Sequence, residues 1–270
     1  MAWAFGSGAL FRIARKTDDR AFLAACALLF VAGVAATISW CGSMPGGMAM
    51  PGGWTMSMAW MRMPAQSWPG AAASFLGMWI VMTVAMMLPS LQAMLSSYRR
   101  SLRGPDETRR NGLTALAGAG YFFVWTLMGV AVYPLGVALG AAEMRWLALA
   151  RSVPLATGLI FLFAGCVQLT GWKVRQLGCC RDLPAGGESA SSASAWRHGL
   201  YLGVKCSLSS APWMGILLVS DVMDLGAMAL VTVAITAERL SPKPERTARA
   251  AGVVILAAGA LAIVRAVRAA

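Results

Sequence analysis

An all-α, polytopic bundle of transmembrane helices, with about seven spans and six as the alternative, is predicted by three features of the chain. Its 270 residues are 58% hydrophobic and only 13% charged, about half the charged share of a soluble domain. Several apolar runs approach twenty residues, long enough to cross ~30 Å of hydrocarbon as helices. The runs are continuous rather than alternating in polarity, which selects helices over a closed barrel.

The spans are expected at Ala21–Trp40, Ala71–Leu91, Leu113–Gly140, Ser152–Leu169, Leu200–Val219, Val222–Ala237 and Ala250–Val264. The first is too long for the core of a cleaved signal peptide, ~7–15 residues, and lacks a small-residue cleavage site, so it is read as retained. Leu200–Ala237 is read as two short spans joined at Ser220-Asp221, with one bent helix and a re-entrant piece as the alternative.

The net charge is +12. The basic residues flank apolar spans instead of lining a folded basic face, so they report membrane topology and contact with anionic lipid, and no nucleic-acid partner is expected. With the N-terminus in the cytoplasm, all but Arg62, Arg145, Arg151, Arg265 and Arg268 of the 23 Lys and Arg residues fall on the inner side. That asymmetry predicts a multi-pass protein of the bacterial inner (cytoplasmic) membrane, organised as a single integral membrane domain over 1–270. It has a Met-rich outer loop at 41–70, a basic inner loop at Arg99–Gly112 and a flexible, small-residue inner linker at 184–195.

The outer loop carries the most unusual chemistry. "MPGGMAMPGGWTMSMAWMRM", Met44–Met63, holds seven of the chain's 18 methionines. It contains three Met-x-Met pairs, Met48/Met50, Met56/Met58 and Met61/Met63. Soft thioethers select copper(I), and by the same logic silver(I), over hard cations, and unlike thiols they do not pair off in an oxidising compartment. Glycine and proline are expected to keep the segment irregular and adaptable. Trp54 and Trp60 are candidates to lie over the cation. The same composition would also suit an amphipathic loop anchored in the headgroups.

Next along the chain, "MWIVMTVAMMLPS" places Met78, Met82 and Met86 one helical turn apart, with Met87 on another face. Such a stripe can hand a soft ion along a helix; it can equally be packing between membrane helices. Pro89 is expected to kink the helix or free a carbonyl. On the inner side, Cys179 and Cys180 in "GCCR" sit beside Lys173, Arg175 and Arg181, which favours thiolate. They read as metal ligands, or else as unligated or acylated thiols. Cys26, Cys166 and Cys206 read as small buried hydrophobes. Asp221 and Asp224 fall at an outer turn, Glu238-Arg239 as an ion pair ending a helix, and His198, the only histidine, at a helix start. No nucleotide, hydrolase or haem motif is present, and no enzymatic activity is expected.

"MWIVMTVAMMLPS", "GCVQLTGWKVRQLGCCR", "GLYLGVKC" and "VMDLGAMALVTVAITAERLSP" together resemble a bacterial family of predicted metal-binding integral membrane proteins, from about Gly77 to the last span. The resemblance implies metal binding and a multi-span fold. It also implies two separated cysteines after the Gln-Leu-Thr element, where this chain has Gln176 and Cys180 with Cys179 as an extra neighbour. It further implies a Cys-Cys pair after Cys206, where Ser209-Ser210 stand. The pattern therefore lacks several thiol ligands here: either the inner site has weakened or binding has shifted to methionine, and the rich outer loop fits the second.

The expected function is metal handling. Copper(I) would be captured on the outer loop, then relayed or transported along Met78/Met82/Met86 to Cys179/Cys180, the direction being open. The expected partners are the lipid bilayer and a partner membrane protein or copper chaperone. The competing reading is an accessory or assembly subunit of a larger membrane complex with no transport role.

Overall fold

The computed structural model describes residues 7–43, 46–63, 66–102, 106–179 and 191–269. Eight helices appear among them: α1 (Ser7–Ser43), α2 (Trp68–Ser101), α3 (Glu107–Arg145), α4 (Leu147–Leu169), α5 (Gly171–Cys179), α6 (Ser192–Ser220), α7 (Leu225–Leu240) and α8 (Pro244–Ala269). Six are long and apolar enough to cross a membrane: α2, α3, α4, α6, and the Arg20–Ser43 and Pro244–Arg268 parts of α1 and α8. The protein is thus an all-α polytopic bundle. α7 takes the place of the expected sixth span, but its 16 residues reach only ~24 Å at 1.5 Å per residue.

Without a hydrophobic drive between helices in lipid, tight backbone approach has to supply much of the contact. The α4–α8 pair shows how this is done. Gly158 and Gly165 on α4 face Gly259 and Gly252 on α8, in antiparallel order. A Cβ on any of the four would lie 3.0–3.3 Å from the partner helix's backbone oxygen. The expected linker at 184–195 ends earlier than its composition suggests. Ser191 caps α6 by accepting a hydrogen bond from the Ser194 backbone N–H (3.2 Å), so 192–195 are already helical, while 180–190 lie outside the described residues.

The Met-rich segment departs from the irregular loop expected for it. It contains a β-hairpin, β1 (Met48–Met50) and β2 (Trp54–Met56), followed by a 3-10 turn at Met58–Trp60. The reversal works because Gly52 and Gly53 take φ of 104° and 75°, a region that costs glycine little and side-chain-bearing residues more. The residues expected to prevent regular structure are the ones that permit the hairpin.

Trp54 Nε1 donates to the Ala150 carbonyl at the start of α4 (2.8 Å). The Trp60 ring lies against Gly136 of α3, where a Cβ would run into it. The hairpin is therefore docked on the end of the bundle where α1, α3 and α6 finish and α2, α4 and α7 begin.

Candidate metal centre

Six loop methionines were expected to act together, and the structure divides them. Met48 pairs directly with Met56 across the hairpin. Strand periodicity puts Met48, Met50, Trp54 and Met56 on one face, and that face packs on Ala150, with Met50 and Met56 buried. Met48, Met50 and Met56 thus form a small apolar core with Ala150.

Met58, Met61 and Met63 follow the hairpin, Met61 still packing against that core. With Met78 and Met223 they line a cleft of about 80 Å³. Five methionines therefore border one cleft from three places: the segment from the 3-10 turn to Met63, α2, and the α6–α7 turn. Phe75, Ala59, Ala71, Ser74 and Gln66 complete the walls. Phe75 belongs to an aromatic stack, with ring centroids 5.3 Å from Trp60, 5.8 Å from Trp79 and 4.9 Å from Tyr133. The aromatic in the cleft is thus Phe75; Trp54 and Trp60, expected over the ion, serve to dock the hairpin.

Met223 was not singled out from the sequence as a ligand. Its position is set by an uncommon backbone. Asp221 has φ 117°, unusual for a residue with a Cβ, and its Oδ1 accepts from the Met223 backbone N–H (2.9 Å). Asp224 Oδ1 caps α7 by accepting from Gly226 N (2.7 Å) and Ala227 N (3.1 Å). Both carboxylates thus shape the turn. The Cys41 thiol, at the end of α1, reaches Met223 Sδ at 3.9 Å.

Below Met78, Met82 and Met86 continue down α2, 1% and 2% exposed. Met87 is also fully buried, so the stripe lies within a sulfur-rich core. Cys179 is the last residue of α5; its side chain and Cys180 lie outside the described residues. Cys26 and Cys206 are buried as expected, whereas Cys166 is exposed. His198 lies within α6 and stacks on Tyr98 (4.5 Å).

A second buried cluster was missed. Glu238, expected to pair with the adjacent Arg239, pairs with Lys173 (2.8 Å). Glu238 Oε1 also accepts from Gln168 Nε2 and Trp213 Nε1, both at 2.8 Å. Lys173 Nζ further donates to the Ser209 carbonyl. Arg239 donates to the Ser90, Ser209 and Ser210 hydroxyls and to the Cys206 carbonyl. Ser209-Ser210, where the family resemblance implies cysteines, are therefore hydrogen-bond acceptors for a guanidinium. A low-dielectric interior tolerates such charges only when they are paired and hydrogen-bonded, which explains why α4, α5, α6 and α7 all contribute.

Among the described residues no three His, Cys, Asp or Glu side chains converge as a metal site. The concentrated soft-donor chemistry is that of the thioethers. A family model described as PpoB2, copper chaperone, matches residues 76–262, a stretch that includes Met78, Met223 and the buried polar cluster but not the hairpin. No curated protein and no solved structure matches the chain.

Proposed function

The chain belongs to the PpoB2 copper-chaperone family, and on that premise we propose that it holds copper(I) as cargo in the methionine cleft at the hairpin end of the bundle. The observation that carries the proposal is the convergence of Met58, Met61, Met63, Met78 and Met223 on one small cleft. Thioethers are neutral, soft and weakly demanding in geometry. They favour copper(I) over the hard cations that outnumber it and release it by exchange with another soft donor. Carrying cargo in this way needs no catalytic residue.

In this reading the protein lies in the bacterial inner membrane with the hairpin on the outer side, as the distribution of basic residues supports. The recipient is a partner protein that offers soft or imidazole ligands. Met82 and Met86 extend the sulfur surface below the cleft.

The test is competition between the purified, reduced protein in detergent and a chromogenic copper(I) chelator. The wild type should withdraw copper(I) from the chelator. A variant with Met58, Met61, Met63, Met78 and Met223 changed to leucine, which keeps apolar bulk, should lose at least tenfold in affinity. Equal affinity in the two proteins would refute the cleft, and no affinity in either would refute the copper reading.

A further inference from the structure

We propose that the chamber enclosed by α3, α4, α6 and the hairpin binds one acyl chain of a phospholipid from the leaflet on the hairpin side, with the lipid's ammonium headgroup against Glu143 and Asp221. The chamber shares no lining residue with the methionine cleft, and the inference is independent of what the cleft holds.

The chamber holds about 540 Å³, within the ~300–1,000 Å³ of small-ligand sites. Two matching stripes build it. On α3 the lining residues run from Val132 to Glu143 and on α4 from Leu149 to Ile160, both at i, i+3, i+4, i+7, i+8 and i+11, the spacing of one helix face. Each stripe rises ~16 Å, about half of the ~30 Å hydrocarbon core. The chamber starts at the hairpin end, where α3 finishes and α4 begins, so it runs one leaflet deep. Leu135 and Leu139, in the α3 stripe, are 64% and 58% exposed, which leaves the chamber open sideways to lipid. Toward its deep end, a Cβ added to Gly215 of α6 would meet nothing within 4 Å.

Two carboxylates set the chemistry of the head. Glu143 stands in the last turn of α3 and Asp221 just past α6, and both line the chamber at its hairpin end. Asp221 Oδ1 accepts from the Met223 backbone N–H, and a carboxylate can accept at both oxygens. Among the described residues neither acid is in an ion pair. Acids at the edge of a hydrocarbon slab call for a cationic partner. A lipid ammonium supplies one, and Arg145 and Arg151, exposed at the same end, match the lipid's phosphate. An uncharged head on an apolar tail, as in a quinone, would leave both acids without a counter-charge.

The experiment is native mass spectrometry of the full-length, delipidated protein titrated with phosphatidylethanolamine or phosphatidylglycerol of identical chains. The wild type should bind one phosphatidylethanolamine per chain and favour it by about fivefold, the worth of one near-surface charge contact; Glu143→Gln should bring the two lipids within about twofold. Gly215→Phe and Ala156→Phe each place a ring in the chamber and should lose that lipid, with thermal unfolding reporting that the bundle is intact. Equal binding of the two lipids by the wild type would overturn the proposal, as would a preference unchanged in Glu143→Gln. So would one phosphatidylethanolamine still held by both filled variants. Stronger binding of ubiquinone than of phosphatidylethanolamine, or a wild-type dimer that both filled variants lose, would overturn it by giving the chamber to a quinone or to a second copy of the chain. Should neither filled variant fold, the wild-type and Glu143→Gln preferences decide.

Discussion

The Cys41 thiol lies 3.9 Å from Met223 Sδ, so the end of α1 meets the turn between α6 and α7, 182 residues away in sequence. Met223 is held at this junction by the Asp221 carboxylate, which accepts its backbone N–H, while Asp221 itself adopts φ 117°. Asn keeps the acceptor and tolerates positive φ; Ala does neither. Asp221→Ala should therefore lower copper(I) affinity several-fold by releasing Met223, and Asp221→Asn should leave it within about twofold, as read by chelator competition.

The division of the loop methionines into two groups predicts two phenotypes. Met58→Leu/Met61→Leu/Met63→Leu should lose most of the bound copper with little change in thermal stability, because these residues line an open cleft. Met48→Leu/Met50→Leu/Met56→Leu should retain copper, since these residues form the small core over Ala150. Near-isosteric swaps of this kind cost under about 1.5 kcal/mol each. Metal analysis of the two purified variants, beside thermal unfolding, checks both halves.

Gly136 leaves the room that the Trp60 ring fills, and an added Cβ would occupy the same space as the ring. Gly136→Ala should lever the hairpin away from α3, at a cost of about 1–3 kcal/mol typical of overpacking. Faster proteolytic cutting within 46–63, with the helical bundle otherwise intact, is the expected signature.

Breaking the Lys173–Glu238 pair should be severe. Both side chains are at most 2% exposed, and removing one partner of a buried pair costs about 3–5 kcal/mol. Glu238→Gln removes the carboxylate that pairs with the lysine. Replacing both, Lys173→Met with Glu238→Met, should be less damaging than Glu238→Gln alone, so a double-mutant cycle in thermal stability should give a coupling well above experimental error.

These particulars mark what could be read in advance. The α-helical bundle and the sulfur register on α2 were legible because both follow from local periodicity: long apolar runs in one case, a four-residue spacing in the other. The hairpin was not, because the glycines that suggest disorder also permit a tight reversal, and only the docking sites on Ala150 and Gly136 decide between the two. Met223 joins Met58, Met61 and Met63 through tertiary folding alone; its one local signal was its place in a turn at the same end of the bundle. Lys173 looked like a residue flanking a span and Glu238 like the partner of its neighbour. Their true pairing, 65 residues apart, depends on α5 packing against α6, which no local pattern encodes.

The most direct measurement is X-ray absorption at the copper edge of the full-length protein carrying one copper(I) per chain. The account predicts a first shell of sulfur alone, which is lost or rearranged when Met58, Met61, Met63, Met78 and Met223 are changed to leucine. A shell containing nitrogen or oxygen, or a sulfur shell unaltered in that variant, would contradict it.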